Sequence, residues 1–205
     1  YQHVKYIKDT LDGIIAQKTD FTFELCLGED GSTDGTREIC ENYARKYPEI
    51  IRLFIRDRNC PERRHYKQPT AYNGLKTLEA CRGKYIALCE GDDYWTDPYK
   101  LQKQVDYLEA NPHVSCCATR FDAIDNNTVK KTLFPNHKKI INYDLESVLN
   151  FNWSPIQTLT MVFRSELLKP KLHLLDDNRI YAGDYAMTVL LAIKGEIHVL
   201  ADNTA

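Results

Sequence analysis

The sequence predicts an α/β domain built on an open, mainly parallel sheet with helices on both faces, and three observations predict it. Strand-like apolar runs alternate with helical periodicities as far as Ala118. Two of those runs break off in acidic turns, Gly28-Glu29-Asp30-Gly31-Ser32-Thr33-Asp34-Gly35 and Glu90-Gly91-Asp92-Asp93. The length, 205 residues, suffices for one domain with a sizeable core and does not demand two. In open parallel sheets ligands sit beyond the carboxyl ends of the strands, so carboxylates at those turns are placed to meet a substrate or to hold a metal on it.

The elements follow from spacing. Val4, Ile7, Leu11, Ile14 and Ile15 share one helical face. Phe21–Leu27 alternates as a strand does, and after its turn a helix carries Ile39, Tyr43 and Tyr47 until Pro48. Ile50–Ile55 reads as a strand, and Arg56–Gln68 as a loop holding Arg56, Arg58, Arg63, Arg64 and Lys67. A helix over Thr70–Cys81 leads into the run Tyr85–Cys89, too short for a helix and too apolar for a surface. Asp97-Pro98 is a helix start, Asp as N-cap and Pro in the first turn, and Leu101, Val105 and Leu108 mark the buried face up to Asn111-Pro112. The strand Val114–Ala118 follows. Beyond it the pattern loosens: Asp122–Asn142 is polar, Leu145–Phe151 a short helix, Gln157–Phe163 a strand, and Pro170 ends another short helix. Tyr185–Ile193 is a helix opening after Gly183-Asp184, and Ile197–Leu200 a final strand.

Composition excludes several classes. A net charge of −2, from 27 basic and 29 acidic residues, argues against a nucleic-acid-coating protein, which needs a basic field. The seven cysteines are odd in number, contain no C-x-x-C pair and fall mostly in apolar runs, which fits a reducing, cytoplasmic compartment. No apolar run approaches the ~18 residues of a membrane span, so a soluble chain is expected, free in the cytoplasm or peripheral to the inner face of the membrane. The six histidines show no metal-ligand spacing, and Ser/His/Asp and Cys/His nucleophile signatures are absent.

At Asp92-Asp93 two adjacent carboxylates repel each other unless a cation stands between them. A hard divalent ion such as Mg²⁺ or Mn²⁺, completed by phosphate oxygens, would remove that repulsion and bind a nucleotide diphosphate; the bland alternative is an Asp-rich solvated turn. The other turn, Asp30 to Glu41, has nearly the spacing of an EF-hand loop, but it follows a strand and puts Arg37 at the apolar eighth position. It reads better as a strand-to-helix turn with Asp30 in the crevice and Ser32 or Asp34 capping the helix.

Taken together, strand–EDGSTDGT–helix, strand–EGDDYW and DPYKLQKQVDYLEANP resemble the inverting family 2 glycosyltransferases of the GT-A fold, across essentially the whole chain and most strongly over 1–118. The resemblance implies one GT-A domain over 1–205, with 1–118 binding nucleotide and 119–205 binding acceptor. It implies that Asp30 binds the nucleotide base, with Ser32 in the same turn, and that Asp92 lies near the ribose and Asp93 on the metal, Mn²⁺ or Mg²⁺, in a DXD-type element that Asp92 shares. Arg63 and Arg64 are the candidates for a basic contact to the nucleotide. The family's opening strand survives only as Tyr1, assigned to the nucleotide pocket, which implies an N-terminally truncated chain short of one sheet strand. The catalytic base corresponds to Asp184, although the family's Glu-Asp is here Gly183-Asp184; a plain helix cap is the alternative. Trp153 is a candidate to stack on an acceptor sugar, with burial in the core as its alternative. The implied reaction is hexosyl transfer from a nucleotide diphosphate sugar, UDP- or dTDP-linked, to a saccharide or lipid-linked saccharide in polysaccharide biosynthesis. A nucleotide-sugar-binding module without transfer activity and a nucleotidyltransferase remain open.

Overall fold

The computed structural model describes residues 1–66, 71–125, 128–130, 139–151, 153–177, 179–180 and 182–205. Helix α1 (Ile7–Ile15) buries Ile7, Leu11 and Ile14, the i, i+4, i+7 stripe expected of it. Strand β1 (Leu25–Glu29) pairs in parallel with β2 (Ile51–Ile55), joined through helix α2 (Thr36–Lys46). Leu25, Leu27 and Leu53 pack beneath α1 and α2 against Ile7, Leu11 and Cys40. The strand begins later than Phe21 because its ladder starts only at Leu25, opposite Ile51. Phe21 and Phe23 pack instead on the cluster around Trp95.

A 3-10 turn (Pro61–His65) and helix α3 (Tyr72–Ala80) lead to strand β3 (Tyr85–Ala87). Helix α4 (Lys100–Ala110), strand β4 (Val114–Arg120), the hairpin β5 (Ala123–Asp125) and β6 (Thr128–Lys130), and strand β7 (Ile141–Tyr143) follow. Helix α5 (Leu145–Leu149), strand β8 (Val162–Arg164), short helices α6 (Ser165–Leu168) and α7 (Leu172–Leu175), helix α8 (Gly183–Ala192) and strand β9 (Glu196–Asn203) complete the order. Lys67 and Thr70, read as part of the basic loop and as the start of α3, lie outside the described residues.

The principal sheet is five-stranded, in the order β3-β8-β4-β9-β7. It is mixed, which corrects the expectation of a mainly parallel sheet: β4 and β9 are parallel, but β8 runs antiparallel to β3 and β4, and β7 antiparallel to β9. Helices cover both faces as expected. Along β4 the side chains alternate, Cys116 and Ala118 entering a core with α5, α6, α7 and α8, Cys117 entering one with Trp95 and α4. The expected strand Gln157–Phe163 is cut short because Thr160 N and Oγ1 both donate to Gln157 O, closing a 3-10 turn (Thr158–Thr160) and leaving three residues for β8. Pro170 does not stop the chain from turning. It sits in the first turn of a 3-10 segment (Lys169–Lys171) between α6 and α7, where no N–H is required of it.

Among the described residues the β1–β2 pair shares no ladder with the five-stranded sheet. Between β1 and β3 runs a cleft of about 1410 Å³, lined by Leu25, Leu27, Tyr85 and Ala87 and continuous with both acidic turns.

Candidate active site

Each acidic turn is held by its own backbone contacts. Alternation along β1 puts Glu29 on the same face as the half-buried Leu25 and Leu27, and Glu29 itself is 2% exposed. Its carboxylate accepts from the N–H groups of Gly31 (3.1 Å) and Ser32 (2.7 Å) and from Arg37 Nε (3.2 Å). Burial opposes its charge, but the bonds from Ser32, Arg37 and Gly31 outweigh burial and hold the carboxyl below its ordinary range. Gly31 turns the chain with a φ of +74°, a conformation that favours glycine. Ser32 does not cap α2: its Oγ accepts from Gln2 N at 3.1 Å. Nor does Asp34: the N-cap is Gly35, with φ +103°, and Asp34 just before it accepts from Thr36 N at 3.1 Å, so the capping expected of one of the two is not made.

Asp30 is 7% exposed and meets two guanidinium groups, Arg58 at 2.9 Å and Arg63. Arg58 lies over the Tyr1 ring, 4.0 Å from its centre, and Arg63 over the Tyr72 ring at 4.7 Å. Tyr1, Arg58, Asp30, Arg63 and Tyr72 therefore form one continuous stack of aromatic and charged groups beside the cleft. The two candidate arginines part company: Arg63 is buried on Asp30, whereas Arg64 is exposed. Arg58, which sequence spacing did not distinguish from its basic neighbours, is the second partner of Asp30.

The second turn stands at the carboxyl end of β3. Asp93 O accepts from Thr10 Oγ1 at 2.6 Å, and Asp93 N donates to Glu90 O at 3.2 Å, so α1 pins the turn through its backbone. Trp95 is not at the surface: its indole is buried and donates to Leu159 O at 3.0 Å. The fully buried Lys100 Nζ lies 4.8 Å from the centre of that ring, and burial pushes its pKa down to about 8. On this rigid floor Asp93 is half-buried and Asp92 exposed. Burial, followed by repulsion from Glu90 and Asp92, raises the Asp93 carboxyl to about 6. The Nε2 of His3 lies 3.9 Å from the Asp92 carboxylate; no spacing in the sequence had pointed to it.

Asp184 lies in the first turn of α8, with Oδ1 accepting from Tyr185 N at 2.8 Å. It lines the same cleft as Tyr1, Asp30, Ser32 and Asp92, so residues from four distant stretches of chain converge there. Trp153 is 65% exposed, which rules out the core alternative. Its neighbour Ser154 shares a 2.9 Å hydrogen bond with Thr188 Oγ1, one turn after Asp184 on α8, which ties the chain at Ser154 to that helix.

A family model described as glycosyl transferase family 2 matches residues 1–169. The chain belongs to that family. Among the relatives of this family 2 glycosyltransferase, the uncharacterized protein Rv1520 of Mycobacterium tuberculosis is 35% identical over 205 residues, 100% of this chain and 55% of the relative. An uncharacterized glycosyltransferase of Nostoc, alr2836, is 26% identical over 210 residues, 100% of this chain and 61% of the relative. TuaG of Bacillus subtilis, whose name gives teichuronic acid biosynthesis as a provisional role, is 32% identical over 108 residues, 53% of this chain and 38% of TuaG. The chain thus spans little more than half the length of the full-coverage relatives. In fold it is similar to the crystal structure of Staphylococcus aureus TarS 1-349, with a TM-score of 0.68 and 20% identity over 100% of this chain and 57% of that one. The fold is GT-A, as the two acidic turns suggested.

Proposed function

We propose that this glycosyltransferase moves a hexose from a UDP- or dTDP-sugar to a hydroxyl of a saccharide or lipid-linked saccharide, with inversion at the anomeric carbon. The observation that carries the reading is the convergence of Asp30, Asp92 and Asp184 on one cleft beside a carboxyl group, Asp93, whose charge is opposed by its surroundings. Residues 1–118 would bind nucleotide and 119–205 acceptor. The relative named for teichuronic acid biosynthesis supports a polysaccharide acceptor.

The donor set of the second turn fits a hard divalent ion, Mn²⁺ or Mg²⁺. Glu90, Asp92 and Asp93 offer only carboxylate oxygens, and their mutual repulsion is what raises Asp93 beyond the effect of burial. Asp93, with Asp92, would hold the ion, which when bound neutralises charge developing on a departing diphosphate. Asp30 keeps unused lone pairs beside its two arginines and can accept from the N3–H of uracil or thymine, which cytosine lacks. Arg63 and Arg58 then orient that carboxylate, Tyr1 and Ser32 border the base, and Arg64 is free to reach phosphate from the rim. Asp184 takes the proton of the acceptor hydroxyl, and the exposed Trp153 offers a stacking face for the acceptor ring. No helix among the described residues is long and apolar enough to cross a membrane.

The test is nucleotide diphosphate release with a panel of nucleotide sugars and saccharide acceptors, run on the parent and on Asp184→Asn. A general base contributes about 10²–10⁴-fold, so the variant should lose transfer by that order while donor affinity is nearly unchanged. A parent that binds donor but never releases nucleotide to any acceptor would make the protein a binding module. Transfer surviving in the variant would leave Asp184 no more than a carboxylate in the first turn of α8.

A further inference from the structure

At the end of the five-stranded sheet opposite the acidic turns, the residues entering β4 and β9 bring together His113, Glu196 and His198. One imidazole nitrogen from each histidine and one glutamate oxygen all lie within 4.8 Å of one another. Three features of the chain build this meeting. Gly195 lets the lead-in to β9 lie against the loop before β4, because a Cβ there would come 2.4 Å from His113 O. The β4–β9 register slips between Val114 and Cys116, and Ser115 Oγ closes the irregularity by donating to Gly195 O and Glu196 O at 3.1 Å each. Glu196 and His198, two residues apart on one strand, then face the same side.

The orientation of His198 is specified beyond what packing needs. The ring is 5% exposed; its Nδ1 is 2.7 Å from Tyr107 Oη on α4, and its Nε2 is 2.7 Å from Glu196 Oε2. A histidine whose Nδ1–H donates to a fixed oxygen presents the Nε2 lone pair outward, the arrangement by which metal-ligating histidines are set. A cation between Nε2 and the carboxylate takes the place of the single proton that bridges them otherwise. His113 is not part of the Tyr107–His198–Glu196 chain, yet its ring stands edge-on at 5.7 Å from the His198 ring, on the open side of the cluster.

We propose that His113, Glu196 and His198 form a second divalent-metal site, for a borderline transition ion of the Zn²⁺ class, with water as fourth ligand. Two imidazoles and one carboxylate suit such an ion, whereas the all-oxygen acidic turn suits Mg²⁺ or Mn²⁺. The site ties the α4–β4 loop to the start of β9, so occupancy stabilises the fold from the side away from the cleft.

Zn²⁺ competition against a chromophoric chelator, with Co²⁺ absorption as a geometry probe, tests this on the purified protein, on Asp93→Asn, His113→Ala and Tyr107→Phe. One equivalent should bind to the parent and equally to Asp93→Asn. It should be lost in His113→Ala, an exposed position whose variant folds, and be 10–100-fold weaker in Tyr107→Phe, the usual effect of removing an orienting partner. Co²⁺ should give a four-coordinate spectrum without a thiolate charge-transfer band, and Zn²⁺ should raise the melting temperature of the parent but not of His113→Ala. No binding at micromolar free Zn²⁺, binding unchanged in His113→Ala, or a thiolate band would each overturn the proposal.

Discussion

Replacing Asp93 by Asn should stabilise the metal-free protein at neutral pH and do almost nothing at pH 3. The carboxyl rises from its ordinary 3.8 to about 6 because burial and the charges of Glu90 and Asp92 disfavour ionisation. Below about pH 3.8 the group is protonated in folded and unfolded chains alike and has no effect. Between that and about 6 the unfolded chain ionises first, so stability falls as pH rises, and above 6 the full cost stands. The shift corresponds to at most about 3 kcal/mol. Because Asp93 is only half-buried, solvent screening reduces the cost to about 1–2 kcal/mol. For a chain of this length that is roughly 2–8 °C in melting temperature. Thermal and urea unfolding with chelator at pH 7.5 and pH 3 measure it. A gain of equal size at both pH values, or a loss at pH 7.5, would refute the reasoning that Asp93 is held against its charge. Adding Mn²⁺ with nucleotide diphosphate should stabilise the parent and not the variant, and the parent's affinity for Mn²⁺ should weaken as pH drops below about 6.

Other expectations follow from the same geometry. Asp30→Asn should lose the preference for UDP over CDP in calorimetry and also lower stability in urea unfolding, since it removes the carboxylate that Arg58 and the buried Arg63 share; unchanged base preference would remove Asp30 from the nucleotide. Arg64→Ala should leave urea stability within about 0.5 kcal/mol while weakening donor binding, and Arg63→Ala should lose stability first; the reverse order would contradict the burial of Arg63. At Gly28 an added Cβ would meet Thr77 Oγ1 at 2.4 Å and Arg56 Nη1 and Asn73 Oδ1 at 2.8 Å, so Gly28→Ala should cost about 1–3 kcal/mol in chemical unfolding.

Helical stripes such as Ile7-Leu11-Ile14 and the turns at Asp30 and Asp92-Asp93 were legible in the chain, because both are local: a period of side-chain spacing, and an abrupt change from apolar to acidic residues. So was Asp184 at a helix start. The burial of Glu29 could have been read as well, by continuing the alternation of Leu25 and Leu27 for one more step. Pairing partners were not legible. The antiparallel insertion of β8, the two arginines on Asp30, the approach of His3 to Asp92 and the cluster of His113 with Glu196 and His198 join residues 28 to 89 positions apart or strands whose order no local spacing encodes. Trp95 and Trp153 illustrate the division. Both sit beside polar turn residues and read alike along the chain, yet one is sealed over Lys100 by the 3-10 turn that carries Leu159, and the other is left on the surface. Sequence periodicity reports which face of its own element a side chain takes; whether that face meets core, ligand or water depends on what the rest of the chain brings against it.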